Sequence, residues 1–182
     1  GAMEQFTLTQ HYSSGTEGLF GLLKCIYHEE MSPTHPSYPA GHAGVAGACV
    51  TVMKAMLRTH DDQLRPLPWP DAADGHAKYS PDGDVLCDYT HPDAASMTVV
   101  GELNKLASNV EMGRLFAQVH YRLDANGILV GESYAISYLQ DVLRCQYPEA
   151  LLNDLRDPPR YTLHKFDGTL VWITPCGVTP VH

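Results

Sequence analysis

Positive charge is scarce in this chain: Lys and Arg number 12 against 21 Asp and Glu, a formal charge of −9 at pH 7. Such a surface repels nucleic acid and anionic membranes, so neither is an expected partner, and any anion the protein holds needs a local site. No apolar run approaches the ~20 residues that span a bilayer, and no secretory leader is legible. The expectation is a soluble protein, cytoplasmic or exported. Cysteine is also sparse: Cys25, Cys49, Cys87, Cys145 and Cys176 are odd in number, far apart and in no metal-ligand spacing. That argues against a disulfide framework or a zinc site and leaves buried thiols as the expectation. Internal repeats and low-complexity tracts are lacking as well. Gly1-Ala2-Met3 reads as a cloning remnant, so a single helical domain is expected over 4–182, long enough to bury a core without staples.

Helical periodicity is plentiful. Leu19 to His28 is apolar at helical spacing and predicts a helix over 15–29, whose His28-Glu29-Glu30 end reads as a solvated terminus rather than a set of metal ligands. Val45, Ala48, Cys49, Val52, Met53 and Met56 predict a second helix over 42–58, with small residues crowding its first two turns, where another backbone or a ligand can come close. Met97, Val100, Leu103, Leu106, Val110 and Leu115 predict a long helix over 93–118, capped by Asp93 and bending or ending near Val119. A last helix is expected over 124–145, capped by Asp124, with Ile128, Leu129, Ile136, Leu139, Val142 and Leu143 inward. Two alternating runs around Asp167-Gly168 predict a β-hairpin over 160–174, closing one end of the bundle. Residues 59–93, rich in Pro, Asp and Gly, predict a long loop acting as a lid, binding loop or interface arm. Aspartates such as Asp82 and Asp84 suit calcium as hard oxygen ligands, but their spacing does not match a twelve-residue calcium loop, so structural calcium is the minor reading and solvated charge the major one.

The most distinctive stretch is His35-Pro36-Ser37-Tyr38-Pro39-Ala40-Gly41-His42-Ala43. Two prolines pin the backbone and Gly41 frees it, just before a helix whose first N–H groups lack intrahelical partners. Unpaired N–H groups and the positive end of the helix dipole make an anion site. A second cluster follows about seventy residues later, Gly113-Arg114 through His120-Tyr121-Arg122-Leu123-Asp124, where an arginine, a histidine and an aspartate recur at uneven spacing.

Together with Glu102 to Val110, these two segments resemble the vanadium-dependent haloperoxidases, most closely the bromoperoxidases of marine algae and cyanobacteria. That family shares its anion site with the phosphatidic-acid-phosphatase-type acid phosphatases. The resemblance covers most of 32–175 and implies a helical bundle with a C-terminal β-hairpin, vanadate as cofactor, and hydrogen peroxide and a halide as substrates. It makes His120 the imidazole bound to vanadium, Arg114 a cation on the vanadate oxygens and Gly41 an N–H donor to them. It makes His42 the acid–base residue, His35 a neighbouring histidine of the bromoperoxidase branch, and Asp124 the acidic residue that ends the shared motif. Vanadate would act as a Lewis acid that polarises peroxide so that bromide or iodide is oxidised to hypohalous acid.

Two departures accompany the matches. Ala40 stands where the family usually has a serine that would bond a vanadate oxygen, and the family's upstream Lys and Arg have no counterpart in the 34 residues before His35. The expectation is therefore a C-terminal part of a longer enzyme, completed by an N-terminal chain, by copies of itself, or both; a truncation or a degenerate homologue is the alternative. Phosphate-ester hydrolysis, with His120 as nucleophile, is the second chemical reading, and a non-catalytic subunit of the same fold is the third.

Overall fold

The computed structural model describes residues 36–70, 78–79, 87–117, 119–148 and 157–181. The helix expected over 15–29 lies outside the described residues, as do His35, Gln118, Asp82 and Asp84.

Three long helices organise the described residues: α1 (Gly41–Met56), α2 (Val99–Phe116) and α3 (Gly127–Gln146). A two-residue ladder joins β1 (Lys78–Tyr79) to β2 (Cys87–Asp88), and β3 (Tyr161–His164), β4 (Leu170–Thr174) and β5 (Gly177–Pro180) form an antiparallel sheet with β4 in the middle. Helix α1 lies between its partners. Ala46 and Val50 of α1 meet Leu103 and Ala107 of α2 in one core cluster. Leu139 and Leu143 of α3 meet Leu163, Val171 and Ile173 of the sheet in another, with Ala55 at the end of α1 against it. Gln140 and Arg144 donate to the carbonyls of Thr174 and Pro175, at 3.1 and 2.8 Å, tying the sheet to α3.

Small residues set how α1 and α3 meet. A Cβ at Gly47 would fall on the backbone of Ile128, and one at Gly131 on the carbonyl of Gly44. The two helices touch backbone to backbone, and this approach accounts for Gly44, Gly47 and Ala48 among the small residues expected in the first turns of α1. This contact also reverses the expected faces of α1. Ala43, Ala46, Gly47, Val50, Thr51 and Lys54 are buried, whereas Val45, Cys49, Met53 and Met56 are exposed. The large apolar residues cannot enter a contact this close, so they face out. Cys49, Val52 and Met53 line an open apolar groove of about 480 Å³ with Tyr134 and Tyr138 of α3.

Other expectations need similar correction. Helix α2 starts at Val99, not 93: Thr98 is its cap, accepting from the Gly101 N–H at 3.0 Å, while Asp93 precedes a separate 3₁₀ turn, Ala94–Ser96. Leu106 and Val110 are exposed on α2, and Leu129 on α3. Asp124 caps no long helix. It sits within a 3₁₀ segment, Arg122–Asn126, ahead of α3. The hairpin is present, with Gly168 at φ +86° in its turn, but a third strand, β5, extends it. The described cysteines, Cys49, Cys87, Cys145 and Cys176, are exposed rather than buried. Described parts of the long loop fold back on α2: Val99 donates to the Leu67 carbonyl at 3.0 Å and Trp69 to that of Met97 at 2.9 Å. No helix among the described residues is long and apolar enough to cross a membrane.

Candidate functional site

Asp124 joins the two sequence clusters. Its carbonyl accepts the Ala40 N–H at 3.1 Å, fixing the turn before α1. Its carboxylate faces the other way and accepts from three groups: the Tyr121 N–H at 2.9 Å and the His120 ring at 3.2 Å, both on Oδ2, and the Ser37 hydroxyl at 3.4 Å on Oδ1. Only 2% of Asp124 is exposed. Burial pushes its carboxyl upward, but the bonds from Tyr121, His120 and Ser37 outweigh burial and hold it below the usual carboxylate range. The glycine packing supports the same junction. A Cβ on Gly127 would lie 2.7 Å from the Ala40 carbonyl and 3.1 Å from the Ala43 side chain, so α3 can start close under the turn only because residue 127 has none.

The bond to Asp124 fixes the tautomer of the neutral His120 ring. An ionised carboxylate only accepts, so His120 Nδ1 carries a hydrogen and, in the neutral ring, Nε2 is left with its lone pair. Carboxylates hold metal-binding histidines in this way, setting the tautomer and raising the basicity of the other nitrogen. His120 is itself buried, and buried Val119 before it is held by its N–H to the Arg114 carbonyl at 3.3 Å. Helix α2 ends at Phe116, so His120 has left the helical register, as expected from its spacing to Arg114.

The remaining expected residues lie on the elements that flank this pair. Arg114 is half-buried on the last turn of α2. Gly41 and His42 open α1 and are exposed; a Cβ at Gly41 would meet nothing within 4 Å, so the helix start faces open space. Ala40 is buried, and its N–H is spent on Asp124, which leaves it a spacing role in the turn. No hydrogen bond joins His42 to His120 or Asp124 among the described contacts. Among the described residues no group of three or more His, Cys, Asp or Glu is placed to hold a metal ion.

Sequence reasoning missed Ser37, the Tyr121 N–H and Glu111. Glu111 lies one turn before Arg114 and is buried; burial pushes its carboxyl up, with the Arg122 guanidinium pulling it back. The Gly127-x-x-x-Gly131 spacing was the available signal for the helix contact that carries the junction.

No family model matches the chain. It is 39% identical over 145 residues to a vanadium-dependent bromoperoxidase of Corallina officinalis, covering 79% of this chain and 21% of the relative. A vanadium-dependent bromoperoxidase of Corallina pilulifera matches to the same extent, and one of Ascophyllum nodosum is 40% identical over 119 residues, 63% of this chain and 19% of that protein. Among solved structures, the homohexameric second vanadate-dependent bromoperoxidase of Ascophyllum nodosum superposes with a TM-score of 0.64 at 33% identity, over 83% of this chain and 27% of that one. The chain thus spans about a fifth of the length of the curated relatives it matches.

Proposed function

We propose that this chain belongs to the vanadium-dependent haloperoxidases, a reading supported by its likeness to bromoperoxidases, and that it carries part of a vanadate site for the oxidation of bromide or iodide by hydrogen peroxide. The observation that supports this most directly is the buried His120–Asp124 pair, whose hydrogen bond puts a hydrogen on Nδ1 and so, in the neutral ring, leaves the Nε2 lone pair for a metal. The donor chemistry fits vanadate: one imidazole nitrogen for the metal, the Arg114 guanidinium as a fork for its oxygens, and the N–H groups at the start of α1 from Gly41 onward. When bound, vanadate supplies the Lewis acidity that polarises peroxide towards halide.

The chain's own residues then divide the work. Asp124 holds the His120 tautomer and, through its carbonyl, the turn that aims the α1 N-terminus. His42, exposed on the first turn, takes and returns the peroxide protons, as an imidazole can near neutral pH. His35 adds a second imidazole to the same turn in sequence. The cations that the family places upstream come from an N-terminal complement, and copies of the assembled protein associate. The homohexameric relative and the exposed apolar groove between α1 and α3 support association.

Vanadate binding measured by calorimetry, alongside bromide-dependent halogenation of a dye, tests this on the chain joined to its complement. Wild type should bind vanadate and halogenate only when it is present, whereas His120→Ala should lose both. Equal vanadate binding by wild type and His120→Ala would overturn the assignment. Light scattering over a dilution series tests association: a monomer at every concentration would refute it.

A further inference from the structure

Away from Asp124, two other histidines meet where the loop after α1 touches the hairpin. His60 is buried, its ring stacks on His164 with centroids 5.3 Å apart, and His60 Nε2 lies 3.1 Å from His164 Nδ1. The outer nitrogens are engaged as well: Thr59 Oγ1 is 2.8 Å from His60 Nδ1, and His164 Nε2 is 3.1 Å from the Gly168 carbonyl.

The partners dictate where each hydrogen sits. A carbonyl only accepts, so His164 Nε2 carries a hydrogen. With both rings neutral, His164 Nδ1 is an acceptor, His60 Nε2–H donates to it, and the Thr59 hydroxyl donates to His60 Nδ1. All the hydrogens then point from Thr59 towards Gly168. One added proton is absorbed by reversal. His164 gains an Nδ1–H that donates to His60 Nε2, His60 takes the Nδ1–H tautomer and donates to Thr59, and the hydroxyl turns to the Lys54 carbonyl, 3.4 Å away. A second proton places N–H groups on both facing nitrogens, and no tautomer restores the bond.

We propose that His60 and His164 form a proton-operated latch, which takes one proton intact and on the second parts the 59–70 loop from the hairpin turn. On the loop side, Leu67 donates to the Thr59 carbonyl at 2.9 Å, and the loop continues onto the start of α2. On the hairpin side, Gly168 donates to the Lys165 carbonyl at 3.1 Å, and Phe166 donates to Glu132 of α3 at 2.8 Å. The charged groups around the pair are Asp61 beside His60, the Lys165–Asp167 ion pair in the hairpin turn, Lys54 of α1 over the Phe166 ring, and Glu132. Burial and then the His164 charge push the His60 imidazole down, with Asp61 pulling it back. Its folded value is thus below the unfolded one, so the stability it contributes is complete above about pH 6.5 and is lost as pH falls from there.

Long-range ¹H–¹⁵N spectra of the imidazoles in the full chain, from pH 8 to 4, with amide exchange of Leu67 and Gly168, test the latch. Both rings should be Nε2–H tautomers at pH 8, and the pair should take up its two protons in two separate steps rather than one. Protection of the Leu67 and Gly168 amides should survive the first step and fall at least about tenfold at the second. His164→Phe keeps a stacked ring but removes the shared proton, so amide protection should lose its second step. If that variant does not fold, the wild-type titration decides alone. Two midpoints within half a unit of each other, amide protection unmoved through both steps, or the same loss in His164→Phe would each overturn the proposal.

Discussion

Adding one methyl group at Gly131 tests the helix contact on which the site stands. Its Cβ would land on the carbonyl of Gly44 and lie 2.8 Å from the Ala48 nitrogen, and both belong to a helical backbone with no rotamer to change. Relief requires α1 and α3 to move apart. Overpacking of this kind costs about 1–3 kcal/mol, and a backbone obstacle argues for the upper end. Alanine recovers about 1 kcal/mol through its better helix propensity, so Gly131→Ala should lose roughly 2 kcal/mol net. In a chain of this length that lowers Tm by about 4–8 °C. Gly113→Ala is the internal control: it sits inside α2 with nothing within 4 Å of its would-be Cβ. It should gain about 1 kcal/mol from propensity alone and raise Tm by about 2–4 °C. Urea denaturation of both variants measures the difference, and amide exchange at Ala40 reports whether the turn loosens from Asp124. Gly131→Ala at or above wild-type stability would refute the close contact, and with it the way the junction is positioned.

Further outcomes follow from other contacts. Asp124→Asn should cost about 2–3 kcal/mol at pH 7, since it removes the acceptor charge from the bonds of Tyr121, His120 and Ser37. Because the folded carboxyl lies below its unfolded value of 3.8, that difference should persist above pH 4 and shrink as pH falls further, which denaturation at pH 7 and pH 3 would reveal. Glu111 runs the opposite way: with its carboxyl raised above 4.5, it contributes stability at low pH that is lost as pH rises, so Glu111→Gln should be the more stable protein at pH 7. Lys54, buried against Asn104 and Phe166, has its ammonium pushed down from 10.5 to about 8, chiefly by burial. Between pH 8 and 10.5 the unfolded chain binds the proton more strongly, so wild type should gain about 2–3 kcal/mol relative to Lys54→Met across that interval. Thr98→Ala should cost about 1 kcal/mol by removing the α2 cap, visible as a Tm loss of about 2–4 °C.

Periodicity located α1, α2, α3 and the hairpin because each carries a regular apolar pattern with turn residues at its ends. It misjudged what faces inward on α1. The small residues there were read as room for a backbone or a ligand, while the large apolar ones were taken for the core. In a helix pair this close, glycine and alanine form the contact face, and Val45, Met53 and Met56 remain outside. The cap of α2 was misplaced for a local reason: Asp93 and Thr98 both suit an N-cap, and only the bond to Gly101 separates them. Strand β5 escaped notice because Gly177-Val178-Thr179-Pro180 is short and ends in proline. Of the site, His120, Arg114 and Asp124 were legible as chemistry-bearing residues at unusual spacing. The bond from the Ala40 N–H to the Asp124 carbonyl was not, since it joins main-chain atoms 84 residues apart and leaves no trace in side-chain identity.

The exposed thiols carry a consequence for a protein proposed to work beside peroxide. Cys49 opens onto the groove between α1 and α3, and Cys145 lies near the end of α3. Accessible sulfur is oxidised by peroxide stepwise through sulfenic to sulfinic acid, the second stage without simple reversal, and hypohalous acid attacks it faster still. In the proposed reaction such residues would act as scavengers: early turnovers would be consumed on the protein's own sulfur before any dye is halogenated, producing a lag whose length scales with protein concentration. Sulfenic acid at Cys49 would also place a polar, reactive group in an apolar groove, where condensation with another thiol would lock neighbouring molecules together covalently.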